Sequence, residues 1–208
     1  YLLPPLLLIG LPTILILRQP NLGTAILLCG VCVWVMFASG TAYRYFAVAL
    51  GLTLAAVPIV WQFLHGYQKE RVLTFVGADD DTLGSGYHIT QSIIAIGSGG
   101  VSGKGLLGGT QTQLDFLPEK QTDFIFTVLA EEFGFLGGTG LILLYTVLIW
   151  MLVAIAWRST SLFGRLVAQG VAAILSLHVF INIGMVMGML PVVGIPLPML
   201  SYGGSVML

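Results

Sequence analysis

The sequence predicts an all-α polytopic membrane protein. It should have about five transmembrane helices and a truncated sixth, with a large extracytoplasmic loop containing a short interfacial helix. Three observations predict this. Of the 208 residues, 57% are hydrophobic and only 8% charged, whereas a soluble domain carries roughly 25% charged residues. Apolar runs near the ~20 residues that a helix needs to cross a bilayer recur along the chain. The charge is also segregated, since all nine acids fall within residues 70–132. With a net charge of −1 and no basic stripe, nothing points to nucleic acid. The chain opens and closes inside apolar patterns, with no cationic flank or cleavage motif. It therefore reads as one membrane domain, residues 1–208, inside a larger protein.

The first apolar run, 2–17, is interrupted by Pro4, Pro5 and Pro12. RQPNLGT follows as a turn, in which proline stops one helix and Asn21 can cap the next. The second span is 25–39. It contains Cys29 and Cys32 in an apolar helix with no neighbouring charge to form a thiolate, so both read as packing residues. The third span, 45–64, contains Pro58, which cannot donate to its helical ladder and should bend it. Residues 65–122 then form a loop too long for a hairpin, and loops of this length are usually functional or disordered. Within it, Ile89, Ile93 and Ile96 mark one face of a short helix over 87–97 that is too short to span. Residues 123–135 read as helix leading into a fourth span, 136–157. A fifth span covers 166–190, and a sixth begins at Ser205. Between them, PVVGIPLPMLSYGGS is irregular backbone, which survives at membrane depth only inside protein or beside a cavity.

The short loops GTAYR and RSTSLFGR hold Arg44, Arg158 and Arg165 and no acid. The positive-inside rule puts them in the cytoplasm and the acidic loop outside, with Arg18 as the one exception. GSGGVSGKG resembles a phosphate loop but lacks its first glycine and its Ser or Thr, so it fails the nucleotide pattern. His65, His88 and His178 show no metal-ligand spacing. Gly134-x-x-x-Gly138 and Gly184-x-x-x-Gly188 permit close helix contact and read as packing.

The stretch QTQLDFLPEKQTDFIFTVLAEEFGFLGG, residues 111–138, holds Asp115, Glu119, Lys120, Asp123, Glu131 and Glu132. Charge beside apolar spans is costly and marks functional candidates. Asp123 stands at a helix start, where two readings compete. One is a carboxylate stabilised by the helix dipole; the other is a reactive group facing a polar cavity. Glu131, eight positions on, lies on roughly the same helical face, ~12 Å away, and could line one groove with it. Glu132 points elsewhere, toward a basic partner.

QPNLGTA, YQKERVLTF, GYHITQSIIAIGSGG, GKGLLGGTQTQLDFLPEKQTDFIF, LAEEFG and INIGMVMGMLPVVGIPLPMLSYGGS resemble, in order, the blocks of the SEDS family of bacterial shape, division and sporulation proteins. This is the RodA/FtsW/SpoVE group, and the likeness is strongest to its elongation branch. The resemblance covers nearly the whole chain and implies the fifth to tenth of about ten spans. It implies a peptidoglycan glycosyltransferase of the bacterial inner membrane, which polymerises lipid II on the outer face. The implied partner is a class B penicillin-binding protein that cross-links the product. The family's essential aspartate maps to Asp123 in the TDF block. Its prolines and SYGGS block map to Pro118, Pro196, Pro198 and residues 201–205, so that Ser201 and Ser205 become substrate-binding candidates beside Glu131. Gln121 stands where the family usually has His or a related residue, which weakens any role for a histidine there. An acidic residue and a tryptophan implicated in the family lie in an earlier loop that this chain lacks, so these residues alone should be inactive.

The implied chemistry fits the residues. A sugar 4-hydroxyl attacks C1 of a diphosphate-linked donor and inverts that centre, which needs a base near the hydroxyl. Positive charge must meet the leaving diphosphate. Lys120 and Arg71 are the cations expected to do so, with Lys69 and Lys104 nearby in sequence. A divalent cation such as Mg or Mn is also compatible with that chemistry. Two other classes compete: a lipid II flippase, and a non-catalytic scaffold for the penicillin-binding protein. A flippase would need charge within its spans, and here charge gathers at their outer edge.

Overall fold

The computed structural model describes residues 3–19, 21–63, 66–76, 85–113 and 121–202, and among these no strand occurs. Within the described residues eight helices follow one another: α1 (Leu3–Arg18), α2 (Leu22–Ala38), α3 (Tyr43–Phe63), α4 (Gly66–Val76), α5 (Ser85–Gly99), α6 (Thr110–Gln113), α7 (Ile125–Arg158) and α8 (Leu162–Val186). α7 and α8 are each long and apolar enough to cross a membrane, and α1, α2 and α3 are shorter apolar helices by the same measure. α1 runs through Pro12 and α3 through Pro58. Asn21 does cap α2, accepting from the Thr24 amide at 3.2 Å, so that helix starts three residues before the predicted span. Ser161 caps α8 in the same way through the Gly164 amide.

α8 is the hub, packed by α7 on one side and α2 on the other, while α1 lies on α2. Its Ala172, Ala173, Leu175, Ile181, Met185 and Val186 are buried. One apolar cluster joins Phe124, Phe126, Leu141, Tyr145, Leu175, Met185 and Leu197; a smaller one joins Leu27, Ile181 and Ile195. α8 stops at Val186, four residues short of the predicted end. Gly188 takes φ +72°, and the Met189 and Leu190 amides both fold back onto the Gly184 carbonyl.

The region read as one long loop carries more helix than expected, since it contributes α4, α5 and α6. The predicted helix at 87–97 is the middle of α5. It is not merely interfacial decoration, because it packs against α7, α8 and α4. Ser92 shares a hydrogen bond with Thr127 and donates to the Val186 carbonyl, which pins α5 to both long helices.

The predicted join between residues 123–135 and the fourth span is a break inside α7. Gly134 leaves helical geometry, with φ 68° and ψ −161°. The bend is sharp: a Cβ on Gly138 would sit 3.4 Å from the Phe126 ring, although twelve residues of straight helix span ~18 Å. A break frees backbone groups that must find partners, and the glycine-rich loop supplies them. Phe135 and Leu136 amides donate to the Gly100 and Val101 carbonyls. The Lys104 and Gly105 amides donate to the Glu131 and Glu132 carbonyls, all at 2.8–3.1 Å. Gly103, at φ +78°, has no room for a Cβ because the Glu132 carbonyl stands there. The segment GSGGVSGKG is therefore a helix-break splint, and its Lys104 and Gly105 amides are already used.

Candidate active site

Asp123 lies in the turn 121–124, immediately before the N-cap Phe124 of α7. This turn is held from outside by its own backbone. The Tyr202 amide donates to the Gln121 carbonyl at 2.8 Å. The Ser201 hydroxyl donates to the Thr122 carbonyl at 2.6 Å, and the Asn182 amide nitrogen donates to the Asp123 carbonyl at 2.8 Å. Three successive carbonyls thus take three tertiary donors. Asn182 lies four residues before the end of α8, so the turn sits ~6 Å below that end. The Asp123 carboxylate faces Gly194, where an added Cβ would lie 3.2 Å from Oδ2. Gly194 has φ +69° and belongs to the irregular stretch predicted beside a cavity.

That cavity exists. About 480 Å³ opens between α2, α8 and this stretch, lined by Asn21, Thr24, His178, Gly194, Ile195 and Pro196 among others. Gly194 is shared between its wall and the seat of Asp123. A second groove of about 300 Å³ runs along the break of α7, between Ile96 and Gly97 of α5 and Phe126, Ala130 and Phe135 of α7. Its lining is almost wholly apolar.

The other predicted site residues are placed as follows. Ser201 is buried, and its hydroxyl is engaged twice, donating to Thr122 and accepting from the Leu197 amide at 2.7 Å. A hydroxyl has one proton to donate, so Ser201 positions the turn. Arg71 is half-buried on α4. Lys120, Ser205, Pro118, Asp115 and Glu119 lie outside the described residues. Pro196 lines the cavity, and the Pro198 carbonyl accepts from the Tyr145 hydroxyl.

Glu131 does not line a groove with Asp123. It is fully buried and faces the 104–112 loop, where it accepts from Lys104 Nζ at 2.8 Å and from the Gln111 and Thr112 amides at 3.0 and 3.1 Å. Thr110 adds a longer contact. Helical spacing had put both acids on one face, but Asp123 precedes the helix, so that spacing does not apply to it. Glu132 takes no basic partner from the described residues; its carboxylate accepts from the Leu107 amide. The two adjacent glutamates therefore tie down the loop that leads into the Asp123 turn. Glu131→Ala removes a buried anion together with the partner of Lys104 and two amides. Leaving the buried loop amides without their acceptor costs about 1–3 kcal/mol, while Lys104, a quarter exposed, can turn to water, so the melting temperature should fall. A variant melting with the parent would remove Glu131 from this role.

Sequence reasoning missed Asn182. It is fully buried, and besides Asp123 it holds the Ile195 carbonyl at 2.7 Å. The available signal was an amide side chain inside an otherwise apolar span, where polar groups need a reason to be.

The chain resembles known proteins along its whole length. The sequence profile of the FtsW/RodA/SpoVE family, described as cell cycle protein, matches residues 1–208. The chain is 53% identical over 204 residues to a peptidoglycan glycosyltransferase, MrdB of Escherichia coli K12, covering 98% of the chain and 55% of that protein. It is 42% identical to stage V sporulation protein E of Bacillus subtilis, covering 92% and 52% respectively. A solved peptidoglycan synthase complex that coordinates polymerization and crosslinking contains a chain with TM-score 0.79 and 38% identity, covering 98% of this chain and 56% of that one. The crystal structure of a mutant of the Thermus thermophilus rod shape determining protein RodA gives TM-score 0.63 and 30% identity, covering 98% and 50%. The chain spans about half the length of the curated relatives it matches.

Proposed function

The chain belongs to the FtsW/RodA/SpoVE family, the SEDS proteins, and on that premise we propose that it serves a peptidoglycan glycosyltransferase of cell elongation. The enzyme polymerises lipid II by inverting transfer, with Asp123 as general base. The observation that carries this is the Asp123 turn, whose backbone is clamped by three tertiary donors while its carboxylate stays turned toward Gly194. A base must be held within hydrogen-bond reach of the hydroxyl it deprotonates, and clamping the backbone fixes the point from which the carboxylate projects. Arg71 and Lys120 are the cations assigned to the leaving diphosphate. The apolar groove at the break of α7 suits the polyprenyl tail, since a long isoprenoid needs a slot between helices rather than water. The partner is a class B penicillin-binding protein, and the site is the bacterial inner membrane.

Polymerisation of labelled lipid II by the full-length protein in detergent tests this reading. Glycan chains are the expected product. Lipid II that crosses liposomes without elongation would point to a flippase, and neither activity would point to a scaffold. Topology gives a separate check, made without Cys29 and Cys32. Leu106→Cys, in the exposed loop after α5, should react with an impermeant thiol label on intact cells. Ser161→Cys, at the α7–α8 turn, should react only after permeabilisation. The opposite pattern would move the chemistry to the wrong face.

A further inference from the structure

We propose that Asn182 is a positioning residue for the transfer reaction, one amide that sets the seat of the Asp123 carboxylate from both sides. Its nitrogen donates to the Asp123 carbonyl at 2.8 Å and to the Ile195 carbonyl at 2.7 Å. These acceptors come from segments 59 and 13 residues away in sequence. One is the backbone of the base itself. The other adjoins Gly194, the residue that the carboxylate faces. The base and the wall opposite it are therefore both tied to one side chain on α8. Because both contacts are to carbonyls, the NH₂ group must stand there, and the orientation of the amide is fixed. Its oxygen is buried and meets no hydrogen-bond donor among the described residues. A side chain kept only for packing would not carry such an acceptor into the core, since an unpaired buried polar atom is unfavourable. Its cost is offset by where the two donors point.

The proposal rests on Asp123 being the base, and the experiment separates the two. Full-length protein in complex with its penicillin-binding partner is assayed for kcat and KM on lipid II, alongside thermal melting. Asn182→Ala and Asn182→Asp are made; the second keeps shape and volume but replaces the donors. Both should lower kcat by up to ~10²-fold, the scale for a catalytic group displaced by about 1 Å, with KM little changed. Each is then combined with Asp123→Asn. If Asn182 acts through Asp123, it should cause little further loss on the residual rate of that variant, as for residues that work as a unit. An equal fold-loss in both backgrounds would mean a general structural role and overturn the proposal. So would parental kcat in the Asn182 variants, or failure of both to melt near the parent. If Asp123→Asn itself keeps its turnover, the base reading falls first. Asn182→Ala at parental kcat beside an inactive Asp123→Asn removes only the positioning role.

Discussion

Asp123→Asn in the full-length protein is expected to lower lipid II polymerisation by ~10²–10⁴-fold, the usual cost of removing a general base. The fold should survive. The turn is held through the carbonyls of Gln121, Thr122 and Asp123, none of which the substitution touches, and the amide has nearly the volume of the carboxyl. Affinity for lipid II should change little, because the amide still occupies the same space beside Gly194. The competing reading treats Asp123 as a carboxylate that merely favours the start of α7. That reading predicts a loss of ~0.3–1 kcal/mol in stability and near-normal turnover. Rate and melting temperature measured on one purified preparation therefore separate them. A well-folded variant retaining more than about a tenth of parental turnover would contradict the base assignment by the range above.

The long apolar elements were legible because they depend on local pattern. Asn21 marked the start of α2, and the isoleucines at 89, 93 and 96 marked α5, whereas the glycines from 134 read as packing and instead hold the break of α7. Asp123 could be singled out because a carboxylate at the edge of an apolar span is rare. What stayed hidden were interactions across the chain. Nothing near Glu131 says that its partners are Lys104, Gln111 and Thr112, 19–27 residues earlier. Periodicity placed Glu131 beside Asp123, and it failed because Asp123 lies before the first helical turn. GSGGVSGKG looked like an anion loop for the same reason. Glycines that let backbone approach a phosphate equally let it approach a broken helix, and only the fold shows which occurs. Asn182 passed as part of a packing segment because its two acceptors are supplied by other parts of the chain.

Gly194→Ala should lower turnover by ~10–10²-fold while the protein remains folded, the scale for a misplaced catalytic group. Two effects meet at this residue. Its φ of +69° is strained for any side chain with a Cβ, at about 1–3 kcal/mol. The new methyl would also stand 3.2 Å from Asp123 Oδ2, closer than ordinary van der Waals contact. The backbone on each side of this contact is tied by Asn182, so a methyl here pushes on the Asp123 side chain and takes its carboxylate away from the position the acceptor hydroxyl needs. Gly40→Ala isolates the first effect. Gly40 has φ +89° and open space around it, far from Asp123 in the turn between α2 and α3. Both variants should lose comparable melting temperature, and only Gly194→Ala should lose rate. Equal turnover in the two would show that the wall opposite Asp123 has no part in holding it, because the added methyl would then meet a carboxylate whose exact direction the reaction does not use.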